Sequence, residues 1–298
     1  MIKLRVPATS ANMGAGLDTL GVAVGLYNRM MIKEIPEGLE VINKNTQSYI
    51  TQDTSNLIYR AMAGLFDYVG YEQKGYRITQ DSQIPMTRGL GSSSACIIGG
   101  MLAANIISGR QLSYQEIIHL AAKMEGHPDN VGPALFGGFC VSLMDDDKTI
   151  IKSTKLKSHI KFAVIIPDFF VATKKSRGVL PSKIDFKDAV FNVGHASMFQ
   201  AAMLTCDMKA LEIGVKDKLH QQYRKSYVDG MEDIFEKTYH LGSHATYLSG
   251  SGPTILSILD GNYDEFKAGM EEYFKTNGLE WKCMILPIDN VGAVVSEI

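Results

Sequence analysis

Ile84-Pro85-Met86-Thr87-Arg88-Gly89-Leu90-Gly91-Ser92-Ser93-Ser94-Ala95 is the stretch on which the reading of this 298-residue chain turns. Gly89 and Gly91 lack a Cβ, so the backbone there can bend sharply and come close to a ligand. Three hydroxyls follow, at the first turn of a segment, residues 95–107, that is apolar and Ala-rich enough to be a buried helix. Open helix N–H groups, the positive end of the helix dipole and the serine hydroxyls then converge on one point, which suits a phosphate. The loop is not a Walker A motif, because no Gly-Lys-Ser/Thr follows. Nor is it a dinucleotide fingerprint, since the third glycine and an acidic ribose partner are missing. Taken alone, it reads first as a structural turn capping a buried helix.

Outward from this loop, residues 2–6 alternate as a half-buried strand does, and residues 20–35 and 38–43 add β-type runs broken by Gly and Pro. Asp53, Thr54 and Ser55 supply cap chemistry for a helix to about Val69, and residues 76–80 read as a strand. Ser113 with Glu116 forms a capping box for a helix to about Glu125. Residues 137–144 return to strand, and the polar run 145–148 marks a hairpin tip. A fresh pattern opens at Ile160 with a strand, the polar loop 174–178, and helices near 186–205, 207–215 and 226–240. Strands at 245–248 and 254–259, a helix at 262–275 and strands at 281–286 and 291–296 complete it. Interleaving without a strict βαβ repeat makes the class α+β. The length favours two packed lobes, with a boundary near residue 155. No internal repeat or low-complexity tract is present.

Composition excludes several classes. A net charge of −2 with dispersed Lys and Arg gives no basic block for nucleic acid and no acidic tail. The opening residues lack the charged and apolar regions of a signal peptide, and no run approaches ~20 apolar residues, so no membrane span is expected. Cys96, Cys140, Cys206 and Cys283 are far apart and read as buried free thiols of a cytoplasmic protein. His240 and His244 stand i, i+4, but no acid completes a zinc motif.

Two further segments change the weight of the glycine loop. Residues 7–18 (PATSANMGAGLD) form a polar, Gly-containing loop leaving the first strand, and residues 248–254 (LSGSGPT) a second Gly/Ser loop between C-terminal strands. Each could be an ordinary turn. Together and in this order, the three segments resemble the motifs of the GHMP kinases, over nearly the full chain. That resemblance implies an N-terminal lobe, residues 1–155, like ribosomal protein S5 domain 2, which binds ATP. It also implies a ferredoxin-like C-terminal lobe, residues 156–298, that completes the substrate site between the two. The nucleotide is expected on Asn56 and on Pro85, Met86, Thr87, Arg88, Gly89, Leu90, Gly91, Ser92, Ser93 and Ser94.

Within that superfamily, four stretches resemble the homoserine kinase branch: PATSANMGAGLDTLG from Pro7, EGHPDNVGPA from Glu125, TKKSR from Thr173 and DKLHQQYR from Asp217. Homoserine is a zwitterion with a distal hydroxyl. Its carboxylate calls for guanidinium, and Arg177 and Arg224 come from different segments to clamp it. Its ammonium calls for an acid, Asp18. Asn12, His127, Asn130 and Thr173 are left to bond the substrate or orient its hydroxyl. The reaction implied is transfer of the γ-phosphoryl group of ATP to L-homoserine, a step of threonine biosynthesis, with Mg²⁺ held by Ser93 and Glu125. Ser93, Glu125, Asn130 and Arg177 form the catalytic set. Glu125 lies only two residues before His127, nearer than the acid of longer family members, so its correspondence is open. An asparagine at 130, where mevalonate-type members have aspartate, cannot accept a proton, so no enzymic base is expected. A homodimer is implied by the family alone. The rival readings are a sister GHMP kinase with another hydroxylated substrate and a catalytically silent ATP-binding homologue.

Overall fold

In a computed structural model of the chain, residues 1–45, 51–109, 112–171 and 173–297 are described, the side chains of Thr173 and Lys174 excepted. The alternation of residues 2–6 opens a strand, β1 (Ile2–Ala11), which runs on through Pro7. The first motif is therefore strand up to Ala11, not loop. Proline lacks an N–H for the ladder, and the register with the next strand shifts between Pro7 and Ala8.

Next come β2 (Leu20–Ile35), β3 (Leu39–Asn43), α1 (Leu57–Val69), β4 (Gly75–Ser82), α2 (Ser92–Ile107), α3 (Tyr114–Glu125), α4 (Val131–Phe136), β5 (Phe139–Met144) and β6 (Thr149–Thr154). The second half holds β7 (Lys161–Ile166), α5 (Thr173–Gly178), α6 (Phe186–Thr205), α7 (Met208–Gly214), α8 (Gln221–Arg224), α9 (Met231–His240), β8 (Ala245–Leu248), β9 (Ile255–Leu259), α10 (Tyr263–Thr276), β10 (Lys282–Pro287) and β11 (Val294–Glu297).

The first sheet follows the order β11-β1-β2-β4-β3, and β5 joins the near end of β2 and carries β6 beside it. The chain's last strand thus pairs antiparallel with its first, Ile2 opposite Glu297. The second sheet is antiparallel, β10-β7-β9-β8. Period-2 alternation gives its strands two apolar faces. Phe162, Val164, Leu256 and Ile258 join the large core that the first sheet shares with α1 to α4. Ala163, Ile165, Ile255 and Leu259 face a smaller core with Phe266, Met270 and Trp281.

Several local expectations shift. Helix α1 is capped by Asn56, whose side chain accepts from Ile58 N and Tyr59 N. Asp53 instead folds onto Ser55, taking both its N–H and its hydroxyl. The polar stretch 174–178 is part of the short helix α5 rather than a loop, and α4 was not foreseen. The helix expected from 226 begins at Met231, after a 3-10 turn, Lys225–Tyr227. The capping box of Ser113 and Glu116 forms as expected.

Candidate active site

The end of β1 and two Gly-containing loops are stitched together where the two sheets meet. Thr9 N donates to Leu90 O at 3.2 Å, and Gly250 N donates to Ala11 O at 2.9 Å. The Ser249 hydroxyl donates to Gly89 O at 2.6 Å and lies 2.8 Å from Ser10 Oγ. Glycine is required at the seams. A Cβ on Gly91, at φ +65°, would lie 1.9 Å from Thr9 Oγ1, and one on Gly89, at φ +76°, 2.3 Å from Ser249 O. Both residues also hold the left-handed conformation that glycine adopts without strain.

The loops surround a cavity of about 260 Å³. Gly91 is the N-cap of α2 and brings no side chain to cap it, so the first-turn N–H groups stay available to an anion. Pro85, Met86, Thr87, Arg88, Gly89, Leu90, Gly91, Ser92 and Ser93 all line this cavity, with Asn12, Asn56, Glu125, His127, Asn130, Arg177 and Arg224. The second and third motifs meet here through Gly250 and Ser251.

Not every expected residue arrives as expected. Ser94 is fully buried and does not line the cavity, because helical geometry turns the third serine into the core. Asn56 borders the cavity, but its side chain is engaged in capping α1 and in donating to Thr51 O. Arg88 reaches across to Pro167 O (3.2 Å) and Asp168 O (2.7 Å), so its guanidinium ties the loop to the second half of the chain. The side chain of Thr173 lies outside the described residues.

At the α2 terminus, Ser93 Oγ donates to Glu125 Oε1 at 2.5 Å. Two hard oxygens thus meet beside the open first-turn N–H groups of α2, a donor set suited to Mg²⁺. Asp18, His127 and Asp129 also bring ligand atoms within 4.8 Å of one another. That trio is otherwise engaged. Arg177 donates to both oxygens of Asp18, at 3.1 and 2.5 Å, and His127 Nδ1 is 2.7 Å from Asp129 Oδ1. Burial alone would lower the pKa of His127. The hydrogen bond and charge of Asp129, helped by Glu125, outweigh it and raise the value above the ordinary one.

Asn12 and Asn130 are held rather than free. Asn12 Oδ1 accepts from Asp18 N at 2.8 Å, with both residues at positive φ. Asn130 Oδ1 accepts from Thr9 Oγ1 at 2.7 Å. Arg224 is 1% exposed, and its hydrogen-bond partners among the described residues are neutral: Gly250 O at 2.9 Å, Ser176 O at 3.3 Å and His220 Nδ1 at 3.2 Å. Burial, with Arg177 nearby, pulls its pKa down to about 10, which still leaves it charged at neutral pH.

Sequence reasoning passed over Thr9, Asp129 and His220. Each acts through a partner distant in the chain or through a buried bond, and only the motifs containing them pointed their way.

Comparison with known proteins identifies relatives of the whole chain. The family described as GHMP kinases N terminal domain matches residues 56–138. A homoserine kinase of Clostridium beijerinckii is 44% identical over 298 residues, covering 100% of this chain and 99% of that one. The chain belongs to the homoserine kinase family. A second homoserine kinase, from Caldicellulosiruptor saccharolyticus, is 44% identical over 300 residues and covers 100% and 97% of the two chains. In fold, the crystal structure of homoserine kinase from Cytophaga hutchinsonii superposes with a TM-score of 0.88 at 24% identity, covering 99% and 97%. Mevalonate kinase of Methanococcus jannaschii follows at 0.71 and 16%, covering 97% and 98%. The two-lobed GHMP kinase architecture expected of the chain is thus the one its structural neighbours share. No helix among the described residues is long and apolar enough to cross a membrane.

Proposed function

We propose that this chain transfers the γ-phosphoryl group of ATP to the hydroxyl of L-homoserine, giving O-phospho-L-homoserine and ADP. The observation that carries the reading is a single cavity joining an uncapped helix N-terminus, the Ser93–Glu125 oxygen pair and two arginines. Residues 85–93 cradle the nucleotide phosphates with backbone N–H groups and hydroxyls. Arg177 and Arg224 take the amino-acid carboxylate, and Asp18 takes the ammonium. Asn12, His127 and Asn130 bond the rest of the substrate.

Phosphoryl transfer needs placement and charge stabilisation more than covalent help. Ser93 and Glu125 would hold Mg²⁺, which when bound neutralises charge on the phosphoryl oxygens. Asn130 orients the hydroxyl but cannot take its proton, since an amide oxygen fixed by Thr9 is no base near neutral pH. The hydroxyl therefore attacks directly and loses its proton late, to the phosphoryl group itself. The lobes divide near residue 155, and a cytoplasmic homodimer completes the reading. Scattered free cysteines are in keeping with a reducing compartment.

A coupled ADP-release assay across homoserine, mevalonate and galactose tests this. Turnover with homoserine alone is expected, and turnover with either competitor but not homoserine would favour the sister-kinase reading. Glu125→Gln should lower kcat at least ~100-fold, from the loss of one charged group acting on the phosphoryl oxygens. It should also raise the Mg²⁺ concentration needed for half-maximal rate.

A further inference from the structure

His220 stands outside every role assigned so far, yet it is fully buried at the entry to α8, one helical turn before Arg224. Its two ring nitrogens face partners of opposite kind. Nε2 is 2.8 Å from Gly14 O, and a carbonyl can only accept, so Nε2 carries the hydrogen. Nδ1 is 3.2 Å from Arg224 Nη1, and a guanidinium can only donate, so Nδ1 presents its lone pair. Only the neutral Nε2–H tautomer satisfies both. The imidazolium would turn a second N–H against Arg224.

From this geometry we infer that His220 is a positioning residue, a neutral imidazole that aims the Arg224 guanidinium at the substrate carboxylate. The choice of a neutral partner has a physical reason. A carboxylate in the same place would hold Arg224 as firmly but would cancel its charge before the substrate arrived. Among the described residues no carboxylate lies within 4.0 Å of Arg224 in an ion pair, and Nη2 carries no hydrogen bond to the protein. The guanidinium is thus fixed on one side by His220, Gly250 and Ser176 and left open on the cavity side.

Asp217 supports the arrangement. Its Oδ2 accepts from His220 N and Gln221 N, and its Oδ1 accepts from Leu219 N and Asn192 Nδ2. That carboxylate is 3.7 Å from His220 Nε2, but its bonds go to the start of α8 and to α6. The charged groups around His220 are therefore Asp217 before α8 and Arg224 within it. Arg177 and Asp18 act from beyond Arg224.

The inference rests on the proposed role of Arg224 toward homoserine, and the test separates the two. Steady-state kinetics are measured on the full-length enzyme as wild type, His220→Gln, His220→Asn and Arg224→Ala. A glutamine amide reaches the Nε2 position and keeps the tie to Gly14 while withdrawing the acceptor from Arg224. An asparagine places its oxygen where Nδ1 stands and keeps the acceptor. His220→Gln should raise KM for homoserine about tenfold, the worth of one hydrogen bond to a charged group. KM for ATP and kcat should stay within about twofold, and His220→Asn should stay near wild type.

If Arg224→Ala raises KM but His220→Gln does not, His220 positions nothing. Equal KM losses in both His220 variants, accompanied by equal falls in Tm, would make it a packing residue only. An unaffected Arg224→Ala would sink the reading of Arg224, and this inference with it. Long-range ¹H–¹⁵N spectra of the wild type need no variant to fold. They should show His220 protonated at Nε2 alone at neutral pH, and protonation at Nδ1 would overturn the proposal.

Discussion

The two arginines that face the cavity are built in opposite ways. Arg177 is about one-third exposed at its side chain and forks onto Asp18, itself similarly open, so its charge is already answered. Arg224 is buried, pairs with no carboxylate among the described residues and is held by two carbonyls and a neutral imidazole. For a zwitterionic ligand the difference is instructive. On the proposed reading, the ligand's carboxylate and ammonium would replace one ion pair by two at Arg177 and Asp18, an exchange in which the net charge of the site need not change. At Arg224 the ligand would meet a desolvated cation. The first site would then contribute selectivity for a zwitterion, and the second most of the affinity.

The largest effect should come from Arg224→Ala. Truncating a buried, hydrogen-bonded charge typically costs about 3 kcal/mol or more in binding, so KM for homoserine should rise about 100-fold or more. Tm should fall as well, because Gly250 O and Ser176 O lose buried donors. Arg177→Ala should raise the same KM only about tenfold, since its partner Asp18 stays solvated when the guanidinium goes. Its Tm should barely move, because half-exposed ion pairs contribute ~0–1 kcal/mol. Equal KM losses from the two substitutions would break the contrast between them.

Asp18→Asn sharpens it further. Without the acid, the ammonium loses a partner, but Arg177 no longer has to leave one, so the two changes partly cancel. A net rise in KM of about threefold is expected, below that of either arginine. A loss exceeding that of Arg177→Ala would mean that Asp18 binds substrate without exchanging partners.

The same contrast explains what the sequence could tell. Glycines at 89 and 91, the serines after them and the apolar run to Ile107 are local signals, and they produced the loop, the open helix end and the buried helix as read. Ser113 with Glu116 is equally local and formed its box. What stayed hidden depends on partners far along the chain. The neutral environment of Arg224 comes from Gly250 and Ser176, 26 and 48 residues away, and nothing in a Gln- and Lys-rich segment announces burial. The polar residues of α5 carry no apolar stripe, so they read as loop, although Ser176 is buried and donates to Ser251 O. Asn56 and Asp53 offer equivalent cap chemistry three residues apart, and the one that caps α1 is the one whose side chain accepts from the N–H of the buried Ile58. The return of the last strand to β1 is a pairing across almost the whole chain, invisible to any local pattern.

The smallest effect lies in pH. Burial, with the charge of Arg224, holds the pKa of His220 below its ordinary value, and the opposing influences of Asp217 and of the Gly14 and Asn12 backbone do not restore it. In the unfolded chain the imidazole takes up its proton near pH 6.5, whereas the folded protein resists doing so. Between these two pKa values the unfolded state binds more protons, so stability rises with pH. The contribution of His220 is therefore complete above about pH 6.5 and is lost as pH falls from there through the folded pKa. Arg177 adds nothing in this window, because its hydrogen bond to Asp18 raises an already high pKa. Calorimetric Tm measured from pH 7.5 down to 5 should thus decline more steeply for the wild type than for His220→Asn, which has no imidazole to protonate. Parallel curves would mean that the folded protein takes up the proton on His220 as readily as the unfolded chain does. The buried site would then tolerate a second cation against Arg224, and the distinction between the two arginines would collapse.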